Sequence, residues 1–171
     1  MSTFSDDEAT YTRLDYRALR DSFGLMYFSN DILARDLGWL RAEGYHVYEF
    51  DCAAWVDEPT FHAALATGLS FPDYYGHNLD ALNDCLGDFA VPDVGGCVIL
   101  LRRVDVFAAR LQHVALATLD LLAGVSRRNM LHGRRLLGLL QSDDPRLTLA
   151  PVGSVPVLWN PSEWLNSNRG V

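Results

Sequence analysis

Residues 71 to 86 read Phe71-Pro-Asp-Tyr-Tyr-Gly-His-Asn-Leu-Asp-Ala-Leu-Asn-Asp-Cys-Leu86, a turn-forming loop followed by an amphipathic segment. Asn78 is a good helix N-cap, so we predict a helix from this residue to about Gly87. Leucines recur on one face of this helix, at Leu79, Leu82 and Leu86. Aspartates recur every four residues on the other face, at Asp80, Asp84 and Asp88. The spacing predicts that the leucines face the core and the aspartates face solvent.

The acidic face of this helix is unfavourable for stability. Like charges four residues apart repel each other, and aspartate is a poor helix former. Residues 71–101 hold five Asp and no Arg or Lys, so no neighbour in the sequence compensates these charges. A solvated helix face is the plain interpretation of such a run. These unfavourable aspartates lie next to a loop with two adjacent tyrosines. A departure from stable helix composition at such a place favours the other interpretation, a functional surface.

The flanking sequence predicts an α/β fold around this segment. Residues 45–52 alternate with period two, and residues 96–103 and 136–140 are short apolar runs, so each predicts a strand. Helical patterns separate them, including one over 105–131 that we expect to break or kink at Gly124. We therefore predict a small three-stranded parallel sheet packed with helices. The tail offers two candidate edge strands, 147–149 and 155–159, with four apolar side chains expected to be buried: Leu158, Trp159, Trp164 and Leu165.

Composition excludes several classes of protein. The 171 residues carry a formal net charge of −8, and all 14 basic residues are Arg, which argues against binding a nucleic-acid backbone and favours a basic partner or none. The longest apolar runs are about five residues, against the roughly 20 that span a bilayer, so we expect no membrane association. Three cysteines cannot all pair with one another, and no signal peptide is visible. We therefore expect a cytoplasmic protein with free thiols.

The run Tyr-Tyr-Gly-x-Asn-Leu-Asp-Ala-Leu-x-Asp-Cys-Leu at 74–86 closely resembles the barstar family, intracellular protein inhibitors of secreted ribonucleases such as barnase. A weaker resemblance extends over residues 44–142, which we expect to form the barstar-like domain. Residues 1–43 would be an N-terminal extension whose helix, about 30–43, packs on the core. Residues 143–171 would be a C-terminal extension.

The resemblance implies roles for the residues of the acidic segment. Asp84 corresponds to the carboxylate that enters the ribonuclease active site in place of a substrate phosphate, and Asp80 to an acid that pairs with an active-site arginine. Tyr74 corresponds to the aromatic residue that packs on the catalytic histidine, whereas Tyr75 is expected to be a packed loop residue. The other expected contact residues are Gly76, Asn78, Asn83, Asp88 and Phe89.

The sequence departs from the family pattern at three places. Asn83 and Phe89 stand where barstar has tryptophans, and the region that matches the end of barstar's acidic helix carries Arg127 and Arg128 instead of a glutamate. These changes leave the identity of the partner open.

The resemblance implies a non-enzyme with no catalytic residue, cofactor or metal, which inhibits a basic ribonuclease as an immunity protein of a bacterial toxin–antitoxin pair and is a monomer when free. One alternative is a barstar-like adaptor or regulator that binds another basic protein without inhibiting a nuclease. Another is a metal-dependent hydrolase, suggested by His77 near Asp73, Asp80 and Asp84, although no metal-binding motif supports it.

Overall fold

The computed structural model describes residues 3–153 and 155–170, in which five strands form one parallel sheet of order β2-β3-β4-β1-β5. The strands are β1 (Gly24–Tyr27), β2 (Tyr45–Asp51), β3 (Gly96–Arg102), β4 (Leu136–Gln141) and β5 (Leu158–Trp159). The α-helices are α1 (Glu8–Thr12), α2 (Leu14–Asp21), α3 (Asn30–Ala42), α4 (Glu58–Gly68), α5 (Leu79–Gly87), α6 (Val104–Arg110) and α7 (Gln112–Leu131). Short 3-10 helices cover Cys52–Ala54, Pro161–Leu165 and Ser167–Arg169. Four residues of the predicted extensions, Met1, Ser2, Ser154 and Val171, lie outside the described residues.

The predicted α/β fold with a parallel sheet is confirmed, but the sheet has five strands rather than three. The three predicted strands are β2, β3 and β4. Strand β1 escaped prediction because it is only four residues long and is buried on both faces, so it shows no alternation. Strand β5 is shorter still and pairs with β1 through Leu158 and Trp159 alone.

Both faces of the sheet are covered by helices, and β3 shows how the two hydrophobic cores separate. Cys97, Ile99 and Leu101 point to the side of α4, α5, α6 and α7. Val98 and Leu100 point to the opposite side, where they pack against residues of α2 and α3. Helix α5 and the pair α2 and α3 therefore lie on opposite faces of the sheet.

The predicted break at Gly124 is wrong. The helical region divides at Leu111, between α6 and α7, and Gly124 lies within the 20-residue helix α7. A glycine inside a helix costs only about 1 kcal/mol relative to alanine. Its neighbours Ala123 and Val125 are buried in the core, and this packing offsets the cost.

The C-terminal tail packs differently from the prediction. Residues 147–149 form no strand, and of 155–159 only Leu158–Trp159 does, at the sheet edge. Three of the four side chains expected to be buried are exposed: Leu158 at 39%, Trp164 at 80% and Leu165 at 93%. Glu163 is buried instead, because its carboxylate accepts hydrogen bonds from the backbone N–H groups of Phe28 and Ser29, at 2.9 and 2.8 Å.

The three cysteines are free thiols. Cys52 and Cys97 are buried and Cys85 is half-buried. Within the described residues, no helix is both long enough and apolar enough to cross a membrane.

Candidate functional site

Helix α5 presents its aspartates outward, as predicted. Asn78 caps the helix, its side-chain oxygen accepting a hydrogen bond from the Ala81 N–H at 2.8 Å. Leu82 and Leu86 are buried in the core and Leu79 packs beside them. Three aspartates on the opposite side are exposed: Asp80, Asp84 and Asp88. Because its apolar side is fixed by packing, the helix holds these carboxylates in defined positions.

The carboxylates of this surface are unpaired in the part of the chain that the structure describes. Within the described residues, none of the four exposed side chains accepts a hydrogen bond or joins an ion pair; they are Asp73, Asp80, Asp84 and Asp88. Several acids elsewhere in the molecule are paired with arginines, as in Glu49 with Arg102, Asp51 with Arg103 and Asp93 with Arg134. The negative charge of this face is therefore fully available to a partner.

The loop before α5 is anchored from below by Tyr75. This side chain is buried, and its hydroxyl is hydrogen-bonded to Nδ1 of His62 at 2.5 Å. The rings of Phe71 and His77 lie 5.0 and 4.9 Å from its ring. Its neighbour Tyr74 is 83% exposed. Tyr75 is packed and Tyr74 is exposed, as predicted, and the contact of Tyr74 with a partner stays a prediction. The buried tyrosine fixes the loop that presents the exposed one.

Gly76 and Asn78 shape the same loop. The Asn78 amide donates a hydrogen bond to the Gly76 carbonyl at 3.2 Å while its oxygen caps α5. Between them, His77 adopts a left-handed conformation with φ of 51°. Both Gly76 and Asn78 are exposed, but the side chain of Asn78 is engaged within the protein. The Asn78 side chain therefore holds the loop against the helix, and its contact with a partner stays a prediction.

A groove of about 300 Å³ separates the loop from the C-terminal end of α5. Tyr74, Asp84 and Asp88 line one part of it. Tyr48 and Phe89 line another, with their rings edge to face at 5.3 Å. Tyr48 was not predicted to belong to the site. Strand periodicity indicates the face of the sheet on which Tyr48 lies, but it does not indicate that α5 ends next to it. The groove combines an apolar floor with carboxylates, which suits a cationic or aromatic side chain.

The two arginines that replace a glutamate have different surroundings. Arg127 donates a hydrogen bond to the Gly153 carbonyl at 2.8 Å. Arg128 lies beside α5 instead, since a Cβ atom placed on Gly87 would be 3.7 Å from its Nη2. Gly87 follows Asn83 and Asp84 along the outward face of the helix. One cation, Arg128, therefore borders the acidic face, next to the half-buried Asn83.

The metal-site alternative gains no support from the geometry. In residues 3–153 and 155–170, no group of three or more His, Cys, Asp or Glu side chains is close enough together to hold a metal ion. His77 is turned toward Tyr75 and the ring of His62.

His62, which follows Phe61 in α4, was not predicted from the sequence to belong to the site. It is fully buried beneath the loop, and its Nε2 has no hydrogen-bond partner among the described residues, with Glu58 3.5 Å away. Burial lowers the pKa of His62 below its ordinary value, and Glu58 only partly opposes this shift. The unfolded chain therefore takes up this proton at a higher pH than the folded protein does.

We expect the free energy of unfolding to decrease as the pH falls below about 6.5, because the unfolded state binds the His62 proton first. Replacing His62 with Gln removes the titration while keeping a group that can bond to the Tyr75 hydroxyl. The free energy of unfolding in urea, measured above and below pH 6.5, should therefore depend less on pH in the H62Q variant than in the wild type. The matched control is H113Q, at an exposed histidine, which should keep the wild-type pH dependence. Equal pH dependence of wild type and H62Q would contradict the assignment.

Comparison with known proteins points to one family. No curated protein matches the chain. The family model described as Barstar (barnase inhibitor) matches residues 31–139, which run from the first turn of α3 into β4 and contain the whole acidic surface with its anchoring loop. The match covers more than half of the sequence, and it shows that this chain belongs to the barstar family.

Proposed function

We propose that this protein inhibits a basic ribonuclease by covering the enzyme's active site with α5 and the loop before it. The observation that carries the proposal is the set of four exposed, unpaired carboxylates, held by a packed helix and an anchored loop next to the exposed Tyr74. Membership of the barstar family supports it, because that family is described as barnase inhibitors.

The chemistry of ribonucleases fits such a surface. An active site that binds RNA phosphates is lined with Arg, Lys and His side chains. A carboxylate can take the place of a phosphate there through charge-assisted hydrogen bonds. Asp84 is the best candidate for this role, because it lies between Asp80 and Asp88 and also lines the groove beside Tyr74. The surrounding aspartates would attract a basic enzyme and speed its association.

The same surface indicates how the partner differs from barnase. Asn83 offers a half-buried amide where a tryptophan would offer a large apolar contact. Arg128 adds a positive charge at the border of the acidic face, close to Gly87. A matching enzyme would place a polar group against Asn83 and a neutral or acidic group against Arg128. We therefore propose a barnase-like ribonuclease with a modified rim rather than barnase itself.

In this proposal the protein has no catalytic activity and needs no cofactor. It acts in the cytoplasm as the immunity protein of a bacterial toxin–antitoxin pair, and it is a monomer until it meets the enzyme. Its recognition residues are Tyr74, Gly76, Asn78, Asp80, Asn83, Asp84, Asp88 and Phe89.

A second candidate function is that of an adaptor or regulator that binds another basic protein. The features that favour it are Asn83 and Arg128, which alter the contact surface at two places. The acidic face would then attract that basic protein without blocking a nuclease.

A ribonuclease assay separates the two functions. Increasing amounts of the protein should abolish RNA cleavage by a purified barnase-type ribonuclease at a one-to-one ratio. The association rate should fall steeply with added salt, since the screening length shortens to about 8 Å near physiological ionic strength. Full ribonuclease activity in the presence of excess protein, with no complex on gel filtration, would favour the adaptor.

A further inference from the structure

A second polar cavity lies on the face of the sheet opposite α5. It occupies about 330 Å³ between α2, α3 and the 3-10 helix Pro161–Leu165. Sites for small molecules begin at roughly this size, about 300 Å³. Three arginines line it: Arg13, Arg17 and Arg35. Convergence of three cations is unexpected in a protein with a net charge of −8.

The helices place these groups toward one another. Arg13 is the N-cap residue of α2 and Arg17 lies one turn into the helix, and both line the cavity. Arg35 and Trp39 are one helical turn apart on α3, and both line the cavity. Like charges one turn apart, such as Arg13 and Arg17, repel each other, and a bound anion would relieve the repulsion.

Two of the three arginines are partly neutralised. Arg13 donates to Asp15 and lies 2.8 Å from a carboxylate oxygen of Glu43. Arg35 pairs with Asp36, and its Nη2 also donates to the Ser162 hydroxyl at 3.1 Å. Neither residue uses all five of its N–H donors in these contacts.

Arg17 differs from both. Within the described residues its guanidinium makes no side-chain hydrogen bond and no ion pair, although it lines the same cavity. An arginine that is half-buried and unpaired beside two other arginines has its full charge available for a ligand.

The acid that borders the cavity does not supply that partner. Asp36 is buried, and one of its oxygens accepts from Arg35 at 2.9 Å. The other accepts from the Tyr27 hydroxyl at 3.0 Å and from the Asn160 amide at 2.7 Å. Its hydrogen-bonding capacity is thus taken up within the fold, and the open side of the cavity is left to cationic donors.

We propose that this cavity binds the phosphate group of a small organic monophosphate. Arg17 is the principal ligand, assisted by the remaining N–H groups of Arg35 and by the Ser162 hydroxyl. The half-buried ring of Trp39 also lines the cavity, with the Arg13 guanidinium over it at 5.2 Å from the ring centroid. The part of the ring that Arg13 leaves open would contact the organic part. Because α5 lies across the sheet, this site is separate from the acidic surface and does not depend on ribonuclease inhibition.

Calorimetric titration of the full-length protein tests the proposal. The three probes are a complete organic monophosphate, its phosphate group alone and its organic part alone. Adenosine monophosphate should bind, inorganic phosphate should bind more weakly, and adenosine without phosphate should not bind detectably. Replacing Arg17 with Gln should weaken binding of the monophosphate about tenfold or more, the usual effect of losing a hydrogen bond to a charged group. The control is R146Q, which removes the same charge from an exposed arginine outside the cavity and should leave the affinity unchanged.

Three results would overturn the proposal: no binding of the monophosphate at millimolar concentration, equal binding by adenosine, or equal affinity of R17Q and wild type. Thermal unfolding of both variants checks that they are folded. Arg17 has no partner in the structure to lose, so R17Q should unfold at the wild-type temperature.

Discussion

Replacing Asp84 with alanine is expected to weaken the complex with the cognate ribonuclease more than any other single substitution on α5, by about 2–5 kcal/mol. Much of this loss arises because the enzyme's cations remain desolvated without a counter-charge. Asp80→Ala should cost less, and Asp88→Ala least, acting mainly on the association rate. Tyr74→Ala should cost about 1 kcal/mol or more through lost aromatic packing. Stopped-flow kinetics at two salt concentrations measures both the association and the dissociation rates.

The matched control for this series is Asp31→Ala. Asp31 is exposed and lies on α3, across the sheet from the acidic surface, so its replacement changes the net charge equally without touching the site. Its effect should be confined to a small change in the association rate. If D84A binds the ribonuclease as tightly as wild type does, the phosphate-mimic mechanism is wrong and the adaptor function is preferred.

Deleting residues 1–43 should unfold the whole protein rather than trim an independent extension. The deletion removes β1, which lies between β4 and β5 in the sheet. Leu25, Met26 and Tyr27 in this strand are at most 4% exposed. Burying each such side chain contributes about 2 kcal/mol, against a typical total stability of about 5–15 kcal/mol. We therefore propose that residues 1–43 belong to one folding unit with the rest of the chain.

Circular dichroism and urea unfolding of the 44–171 fragment give the measurement. The control fragment lacks only residues 1–7, which precede α1. It should fold with a smaller loss of stability, since the contacts it loses lie at the surface or the edge of one core. They include the hydrogen bonds of Thr3 with Met130 and Arg135, the packing of Phe4 and the cap of α1 by Asp7. A folded 44–171 fragment with wild-type stability would show instead that the domain begins near residue 44.

The acidic surface was predictable because local rules determine it. The cap at Asn78, the buried leucines and the outward aspartates of α5 all follow from helical periodicity and are confirmed. The exposure of Tyr74 beside the buried Tyr75 followed from the resemblance to the barstar family. Strands β3 and β4 were found because they are apolar on both faces.

The features that were predicted wrongly, or not predicted, depend on tertiary contacts. Strand β1 is too short to show a period and is defined by its pairing with β4. Trp164 was expected to be buried on hydrophobicity alone, but Glu163 takes the inward place because two backbone N–H groups need an acceptor there. The position of Arg128 beside α5 could not be foreseen, because it depends on how α7 packs and on the missing side chain of Gly87.

The place of β1 in the sheet also has a consequence for how the chain folds during translation. Met26 is synthesised early but pairs with Leu140 on one side and Trp159 on the other. Neither neighbour exists while the first hundred or so residues emerge from the ribosome, at about 5–20 residues per second. Contacts between distant parts of the sequence also form slowly. The sheet can therefore close only after β4 and β5 have been made, and until then the nascent protein carries an apolar strand that lacks both of its neighbours.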